Sequence, residues 1–397
     1  MAKKPHVLIV GAGIGGLTAA LALLERGFDV DVYERSPELR EVGAGLHVSP
    51  NGSRVLRELG LAERYLRDGV QPTARYLCLW DSGQTWEIPN HNSGAEARFG
   101  SPYLCLHRGD LHAMLVDGVR ARKPDAIHIA RTCTSFVDDG SGVTVTFEDG
   151  ETVRGDILIG ADGIHSVIQK QLFGPAEPKF TGYVAWRGLV PMEQVPERFR
   201  TSAANWISTT GSITLYPVRR GELLNFIGNI EREDWRVESW IVPGTIEECA
   251  RDFAGWHDDI QKLIQGLGTP FKWGVFTRDP IPQWTKGRVT LLGDACHSTR
   301  PTLGQGANMA IEDGLILARA LEIYDDPESA LSHYEAARRP RCTAIVQKSL
   351  EQASRRHAKD LADPVTAARY IESQWSPDKV VEWYDWIYGY DAATVAV

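Results

Sequence analysis

The turn Gly11-Ala12-Gly13-Ile14-Gly15-Gly16 follows the apolar run His-Val-Leu-Ile-Val at residues 6–10 and opens a helix-patterned stretch that ends near Arg26. A short, continuous apolar run closed by such a turn reads as a buried parallel strand. The next strand, residues 30–34, ends on Glu34, 18 residues after Gly16. Strand, G-x-G-x-x-G turn, helix, strand and terminal acid together form the dinucleotide fingerprint of a Rossmann-like unit. Gly11 permits the tight turn, Gly13 lets the backbone approach a pyrophosphate, and Gly16 lets helix and strand pack closely. Free amides and the positive helix end then face the diphosphate, and Glu34 is placed to accept from ribose hydroxyls. A glycine turn without ligand is the plain alternative. The fingerprint does not say which dinucleotide is bound.

The apolar stretch from Val7 to Leu24, preceded by Lys3 and Lys4, mimics a secretory leader. Its glycines and the strand that follows argue against one. Further along, residues 52–68 are expected to form one amphipathic helix, 76–86 a strand, 91–100 a polar loop and 108–122 a helix. Residues 143–147 alternate in strand fashion into the Glu148-Asp149-Gly150 turn. Residues 156–160 and 289–293 return to the buried-strand style. Between about 180 and 273 aromatic, β-rich segments dominate, which suggests a sheet domain inserted into the first. The expected fold is therefore α/β: a Rossmann-like domain from 1–75, 98–178 and 285–345, a substrate-binding sheet domain from 76–97 and 179–284, and a helical carboxy-terminal region from 346–397.

The formal net charge of −9 gives no reason to expect nucleic acid or an anionic membrane as partner. The short basic runs Arg338-Arg339-Pro340-Arg341 and Arg355-Arg356 are expected to be solvated helix faces. Six scattered cysteines without CxxC spacing suggest a reduced, cytoplasmic setting. No histidine or cysteine spacing points to a metal.

Three later segments carry a family resemblance. They are Asp156-Ile-Leu-Ile-Gly-Ala-Asp162-Gly163-Ile-His-Ser166, Val289-Thr-Leu-Leu-Gly293-Asp294-Ala-Cys-His297-Ser-Thr-Arg-Pro301, and Gly304-Gln305-Gly306-Ala307-Asn308-Met-Ala-Ile-Glu312-Asp313. They resemble the DG motif, the GD motif and the loop beside the isoalloxazine of the group A flavoprotein monooxygenases. Para-hydroxybenzoate, salicylate and 6-hydroxynicotinate hydroxylases are members. The matches run from residue 5 to about 345. The resemblance implies the para-hydroxybenzoate hydroxylase-like fold and FAD, with NADH or NADPH as transient reductant. On the fingerprint side it implies cofactor contacts at Gly13, Gly16, Glu34 and Arg35. Arg108 would reach the FAD phosphates and ribityl region, Cys133 would make a backbone contact near adenine, and Asp162 belongs to the DG motif. Asp294 would hold the ribityl chain, and Gly304, Gly306, Ala307 and Asn308 would lie beside the flavin ring. One departure stands out. Gln169 occupies the position where the DG motif commonly carries an arginine, which bears on pyridine-nucleotide docking and not on FAD.

The implied reaction is hydroxylation of a small hydroxylated aromatic or heteroaromatic acid with O2, through a flavin C4a-hydroperoxide. A general base is useful because a phenolate is far more nucleophilic than a phenol. His47, in Gly43-Ala-Gly-Leu-His47-Val-Ser-Pro-Asn51, is the first candidate, since 6-hydroxynicotinate hydroxylases have a histidine in the equivalent stretch and imidazole suits proton transfer. Tyr216, on a strand expected over the flavin's substrate face, is the second. Trp186, Trp206 and Phe226 are candidates for an aromatic pocket, with core packing the plainer reading of each. Arg187 and Arg300 are candidates to pair with a substrate carboxylate, with an interface ion pair the plainer reading. His297 reads as structural. Two alternatives stay open: a same-fold flavoenzyme on a non-phenolic substrate (an epoxidase, a urate or quinolone hydroxylase), or a flavin-binding protein without turnover. Either a monomer or a homodimer is compatible with the sequence.

Overall fold

The computed structural model describes residues 4–39, 44–88, 94–232, 235 and 242–397. Gly43 and residues 91–93, both part of the expectations above, lie outside them.

The apolar runs form the centre of a six-stranded sheet. Strand His6–Val10 lies between Asp29–Tyr33 on one side and Ile157–Gly160 on the other, all parallel, and Val289–Leu291 pairs parallel beyond Ile157–Gly160. The strand ends therefore place Gly11, Ala161 and the Leu292-Gly293 turn side by side, although they are far apart in sequence. Helix Ile14–Glu25 is buried from Ile14 to Leu23. It packs between helices Arg108–Arg122 and Gly306–Ile323, which explains why its apolar residues cover all faces.

Two expected elements divide. The helix expected over 52–68 is two helices, Pro50–Glu58 and Ala62–Asp68. Gly60, at φ +74°, ends the first by taking the left-handed conformation that glycine favours. The strand expected over 76–86 is a hairpin of Arg75–Leu79 and Thr85–Glu87. In the region expected as a loop, Ala95–Phe99 is a short helix.

The second sheet has eight strands. Lys179–Pro191, Leu223–Glu231, Gly211–Val218 and Ala203–Ile207 form its antiparallel centre. Arg75–Leu79 joins them parallel to Ala203–Ile207. One face of this sheet is covered by helices Ile246–Asp252 and Asp258–Gln265. Trp186, Trp206 and Phe226 are fully buried in that layer, and none lines the cavity described below. They are core residues, not a substrate pocket.

The carboxy-terminal region is helical: Pro327–Arg356, Pro364–Gln374 and Pro377–Tyr388. It docks on its own chain. Arg54 donates to the carbonyls of Tyr388 and Tyr390, at 3.0 and 2.6 Å, and Arg319 donates to Ala392 at 2.7 Å. Among the described residues no helix is long and apolar enough to cross a membrane.

Candidate active site

The glycine turn is packed tightly on one side and open on the other. Gly11 has φ +108°, and a Cβ there would lie 2.3 Å from the carbonyl oxygen of Ala161. A Cβ on Gly16 would lie 2.0 Å from the carbonyl oxygen of Gly11. Both glycines are therefore needed for backbone packing. Gly13 differs: nothing stands within 4 Å of its Cβ position, and it begins the helix with no side-chain cap. Its open side and the free amides of the first turn suit a pyrophosphate. Glu34 accepts from the amides of Ala12 and Ser36, at 2.9 and 2.8 Å, so its carboxylate is fixed beside the turn. Arg35 follows it, exposed. Gly16→Ala is expected to yield protein with little bound flavin, read as flavin absorbance per chain, because the colliding partner is backbone and cannot move aside. The strain is worth about 1–3 kcal/mol.

Asp162 is half-buried, and its carboxylate accepts from the Ser166 hydroxyl and the Val167 amide, at 2.5 and 2.7 Å. It thereby anchors the start of helix Val167–Phe173. Cys133 is buried near it, and burial, then the Asp162 charge, pushes its thiol up to about 12. Gln169 is buried too, donating from its side-chain amide to the Gly174 carbonyl at 3.1 Å.

The second half of the site gathers around a cavity of about 220 Å³. One wall is the start of helix Gly306–Ile323. Gly304 has φ +65°, and a Cβ on it would come 3.0 Å from His47 Nδ1. Gly306 and Ala307 line the cavity, with no acid in the first turn to neutralise the positive helix end. Arg108, at the start of its helix, and Asp294, exposed after Gly293, line the same cavity. Asn308 is fully buried and turned away from it. Its side chain donates to the carbonyls of His47 and Gly304, both at 2.9 Å, and accepts from the Ser49 amide at 3.1 Å. Asn308 therefore ties the histidine strand to the helix start.

His47, beside Gly304, and Tyr216 line the same cavity. Strand Gly45–Val48 pairs antiparallel with Leu104–His107. A Cβ on Gly45 would lie 2.5 Å from the Tyr216 ring, so glycine at 45 permits that ring's approach. The His47 and Tyr216 ring centroids are 4.1 Å apart, and Tyr103 lies 5.4 Å from His47. His47 Nε2 is buried without a hydrogen-bond partner. Burial, and then Arg75 and Arg356, push the imidazole down to about 3, so it is neutral. An anion bound beside the two arginines would offset their part of that shift and strengthen it as a base. Burial raises the phenol of Tyr216 far above its ordinary value.

Arg187 lines the cavity and stacks on Trp273 at 4.2 Å, while Arg300 lies over Tyr183 at 5.8 Å, outside the cavity. Neither makes an ion pair among the described residues. Sequence reasoning missed Arg75, Arg356, Tyr103 and Tyr384, which complete the cavity wall. No local pattern marks them, and Arg356 sits in a run expected to be solvated although it is only 8% exposed.

Behind the helix start lies a buried ion network. Arg338, fully buried, donates to Asp313 and pairs with Glu312, both at 2.7 Å. Arg341 pairs with Glu312 at 2.8 Å, and His297 Nε2 lies 2.5 Å from Asp313. Asp313 also accepts from the Gly293 amide at 3.1 Å. Within the basic run at 338–341, Arg338 and Arg341 are thus turned inward, while Arg339 and Pro340 stay toward solvent. Against burial, Arg341 and Arg338 hold Glu312 below its ordinary value, and His297 and Arg338 hold Asp313 down to about 2. His297 is structural, as expected. Its Nε2 lies close to the Asp313 carboxylate and the Cys342 thiol, but Asp313 is engaged by His297 and Arg338, and Cys342 by Arg338.

A fingerprint turn, an open Gly13, and a second uncapped helix start lining a cavity suit a dinucleotide cofactor, the arrangement of an α/β oxidoreductase. The chain belongs to the FAD-binding domain family, whose model matches residues 4–349. It is 34% identical over 394 residues to a 3-amino-4-hydroxybenzoate 2-monooxygenase of Streptomyces platensis, covering 99% of this chain and 98% of the other. It is 36% identical over 351 residues to a 6-hydroxynicotinate 3-monooxygenase of Pseudomonas fluorescens, covering 87% and 90%. Among solved structures it resembles Klebsiella pneumoniae HpxO complexed with FAD and uric acid, at TM-score 0.82 and 30% identity, covering 95% of each chain. A salicylate hydroxylase substrate complex shares the fold, at TM-score 0.80 and 23% identity, covering 99% of this chain and 97% of that one. The protein is an FAD-dependent monooxygenase of the aromatic hydroxylase family, with the α/β architecture expected from its sequence.

Proposed function

We propose that the protein hydroxylates a small hydroxylated aromatic or heteroaromatic acid, consuming O2 and NADH or NADPH. The observation that carries this reading is the cavity itself. It gathers the uncapped helix start at Gly306, a neutral histidine whose Nε2 has no hydrogen-bond partner, and a buried tyrosine. The relatives named for aminohydroxybenzoate and hydroxynicotinate support the substrate class.

Gly13, Gly16, Glu34, Arg35, Arg108, Cys133, Asp162 and Asp294 would hold FAD along its length, together with the Gly304–Asn308 segment. Bound FAD supplies the hydride acceptance and oxygen activation that protein side chains cannot. The chain's own part is positional and acid–base. The free amides of the Gly306 turn would favour negative charge on a ring bound beside them. His47 accepts the proton of the substrate's ring hydroxyl, which raises the ring's nucleophilicity. Tyr216 orients the resulting oxyanion. The residues of 76–97 and 179–284 act as the substrate-binding part, and those of 1–75, 98–178 and 285–345 as the cofactor-binding part. Six buried free thiols fit a reduced, cytoplasmic setting.

The test follows NADH and NADPH oxidation by the FAD-loaded protein across hydroxybenzoates, aminohydroxybenzoates, hydroxypyridine acids and urate. The expected outcome is stimulation by at least one aromatic acid, with a product heavier by one oxygen atom derived from O2. Stimulation by urate alone would move the assignment to a non-phenolic heterocycle. Absence of flavin reduction by either nucleotide would leave only a flavin-binding protein.

A further inference from the structure

Two arginines reach the cavity from distant parts of the chain. Arg75 begins the strand Arg75–Leu79, and Arg356 is the last residue of the helix Pro327–Arg356. Both line the cavity wall, Arg356 almost completely buried and Arg75 half-buried. Arg75 Nη2 donates to the Tyr384 hydroxyl at 3.3 Å, with its guanidinium 5.3 Å from that ring. Arg356 Nη2 donates to the Thr302 carbonyl at 3.0 Å. Among the described residues neither arginine forms an ion pair with an aspartate or glutamate. The only acid lining the cavity among those residues is Asp294.

This arrangement is costly without an anion. A buried cation without a carboxylate partner carries a large desolvation penalty, and two guanidiniums beside one tyrosine repel each other. Tyr384, Tyr103 and Tyr388 hold Arg75 above its ordinary value against burial, which leaves Arg356 the less compensated of the two. Burial, with Arg75 and Arg355 adding, pushes Arg356 down to about 10. Against its own burial, Tyr384 is lowered by Arg75 and Arg356. A carboxylate matches a guanidinium fork with two parallel hydrogen bonds, which a neutral amide cannot do. Tyr103, which lines the same cavity with its ring 5.4 Å from that of His47, offers an aromatic face for the attached ring. Arg187 is the weaker candidate, because its guanidinium already stacks on Trp273.

We propose that Arg75 and Arg356, joined through Tyr384, form a carboxylate clamp that selects aromatic and heteroaromatic monocarboxylates and aims their ring at His47. The clamp deepens the hydroxylase reading and rests on it for the identity of the cavity as the substrate site. It uses the carboxy-terminal helices, through Tyr384, as part of the specificity apparatus.

Benzoate and benzamide test it, because neither carries a ring hydroxyl and binding is then separated from turnover. Each is titrated into the FAD-loaded protein and followed by the change in flavin absorbance. The wild type is expected to bind benzoate on the order of 100-fold more tightly than benzamide. Arg356→Gln and Arg75→Gln should bring the two within a few-fold of each other at unchanged flavin content, and Arg356→Lys should restore part of the preference. Equal binding of benzoate and benzamide by the wild type would overturn the clamp, as would a preference undiminished in Arg356→Gln. If the arginine substitutions release flavin, Tyr384→Phe, which keeps the aromatic ring, must still weaken benzoate more than benzamide, or the clamp fails. A benzoate preference that disappears with the arginines, in a protein that hydroxylates no aromatic acid, supports the clamp and rejects the hydroxylase reading.

Discussion

Arg338→Met is expected to destabilise the folded protein by about 3–5 kcal/mol, the usual cost of leaving a buried charge unpaired. Arg338 is fully buried and touches both Glu312 and Asp313. Without it, Asp313 keeps only His297 as a charged partner, and Glu312 keeps Arg341. The damage should not stay local. Asp313 accepts from the Gly293 amide, and Glu312 accepts from Asn51 at 2.6 Å. These contacts fix the Gly293–Asp294 turn and the 49–51 segment against the helix that starts at Gly306. Flavin affinity should therefore fall together with stability. Urea unfolding of the FAD-loaded protein measures the first, and flavin release on dilution the second. The double variant Arg338→Met, Asp313→Asn is expected to be less destabilised than the sum of its two single variants, because the uncompensated carboxylate is gone. Additive costs would show that the network is not one unit.

That network also shows where sequence reading stops. The fingerprint turn and the three apolar strand runs were legible because each is a local pattern with a single physical purpose. Their convergence follows from parallel order: the strands ending at Val10, Gly160 and Leu291 are neighbours in the sheet, so their turns meet. Charge runs have no such local signature. Arg338, Arg341 and Arg356 look like the exposed arginines of any long helix, and only tertiary packing turns them inward. Arg75 was hidden for a related reason, as a lone charged residue at a strand start. Gly60 was the missed local signal: a glycine followed by Leu61 inside an apparent amphipathic pattern ended one helix and began another. Asp162 and Asn308 were legible as belonging to the site. That their side chains hold the backbone around it required coordinates.

Replacing His47 separates two properties that the cavity combines, so His47→Gln is expected to change both turnover and acid stability. If His47 takes the ring-hydroxyl proton, product formation should fall by about 10²–10⁴-fold, the range for loss of a positioned base. Binding of benzoate, which has no proton to give, should change far less. The folded imidazole is pushed down to about 3, against 6.5 in an unfolded chain. The charged neighbours responsible after burial are Arg75 and Arg356. Tyr103, Tyr216 and Cys105 are the other titratable groups against it, and burial raises all three, so they stay neutral. The unfolded state therefore binds one more proton than the folded state between these two values. The resulting stability is fully present above pH 6.5 and is lost as pH falls toward 3, at about 1.4 kcal/mol per pH unit. His357, lowered to about 4 by burial and Arg356, adds a slope of the same sign over pH 6.5 to 4. His47→Gln removes the first contribution and leaves the second. Urea midpoints between pH 4 and 7 should thus fall less steeply with acid in the variant, by about one proton's worth. An unchanged slope would mean that the imidazole already shares a proton in the folded state. An unchanged rate of hydroxylation would remove His47 from the chemistry and leave Tyr216 as the group facing the substrate's oxygen.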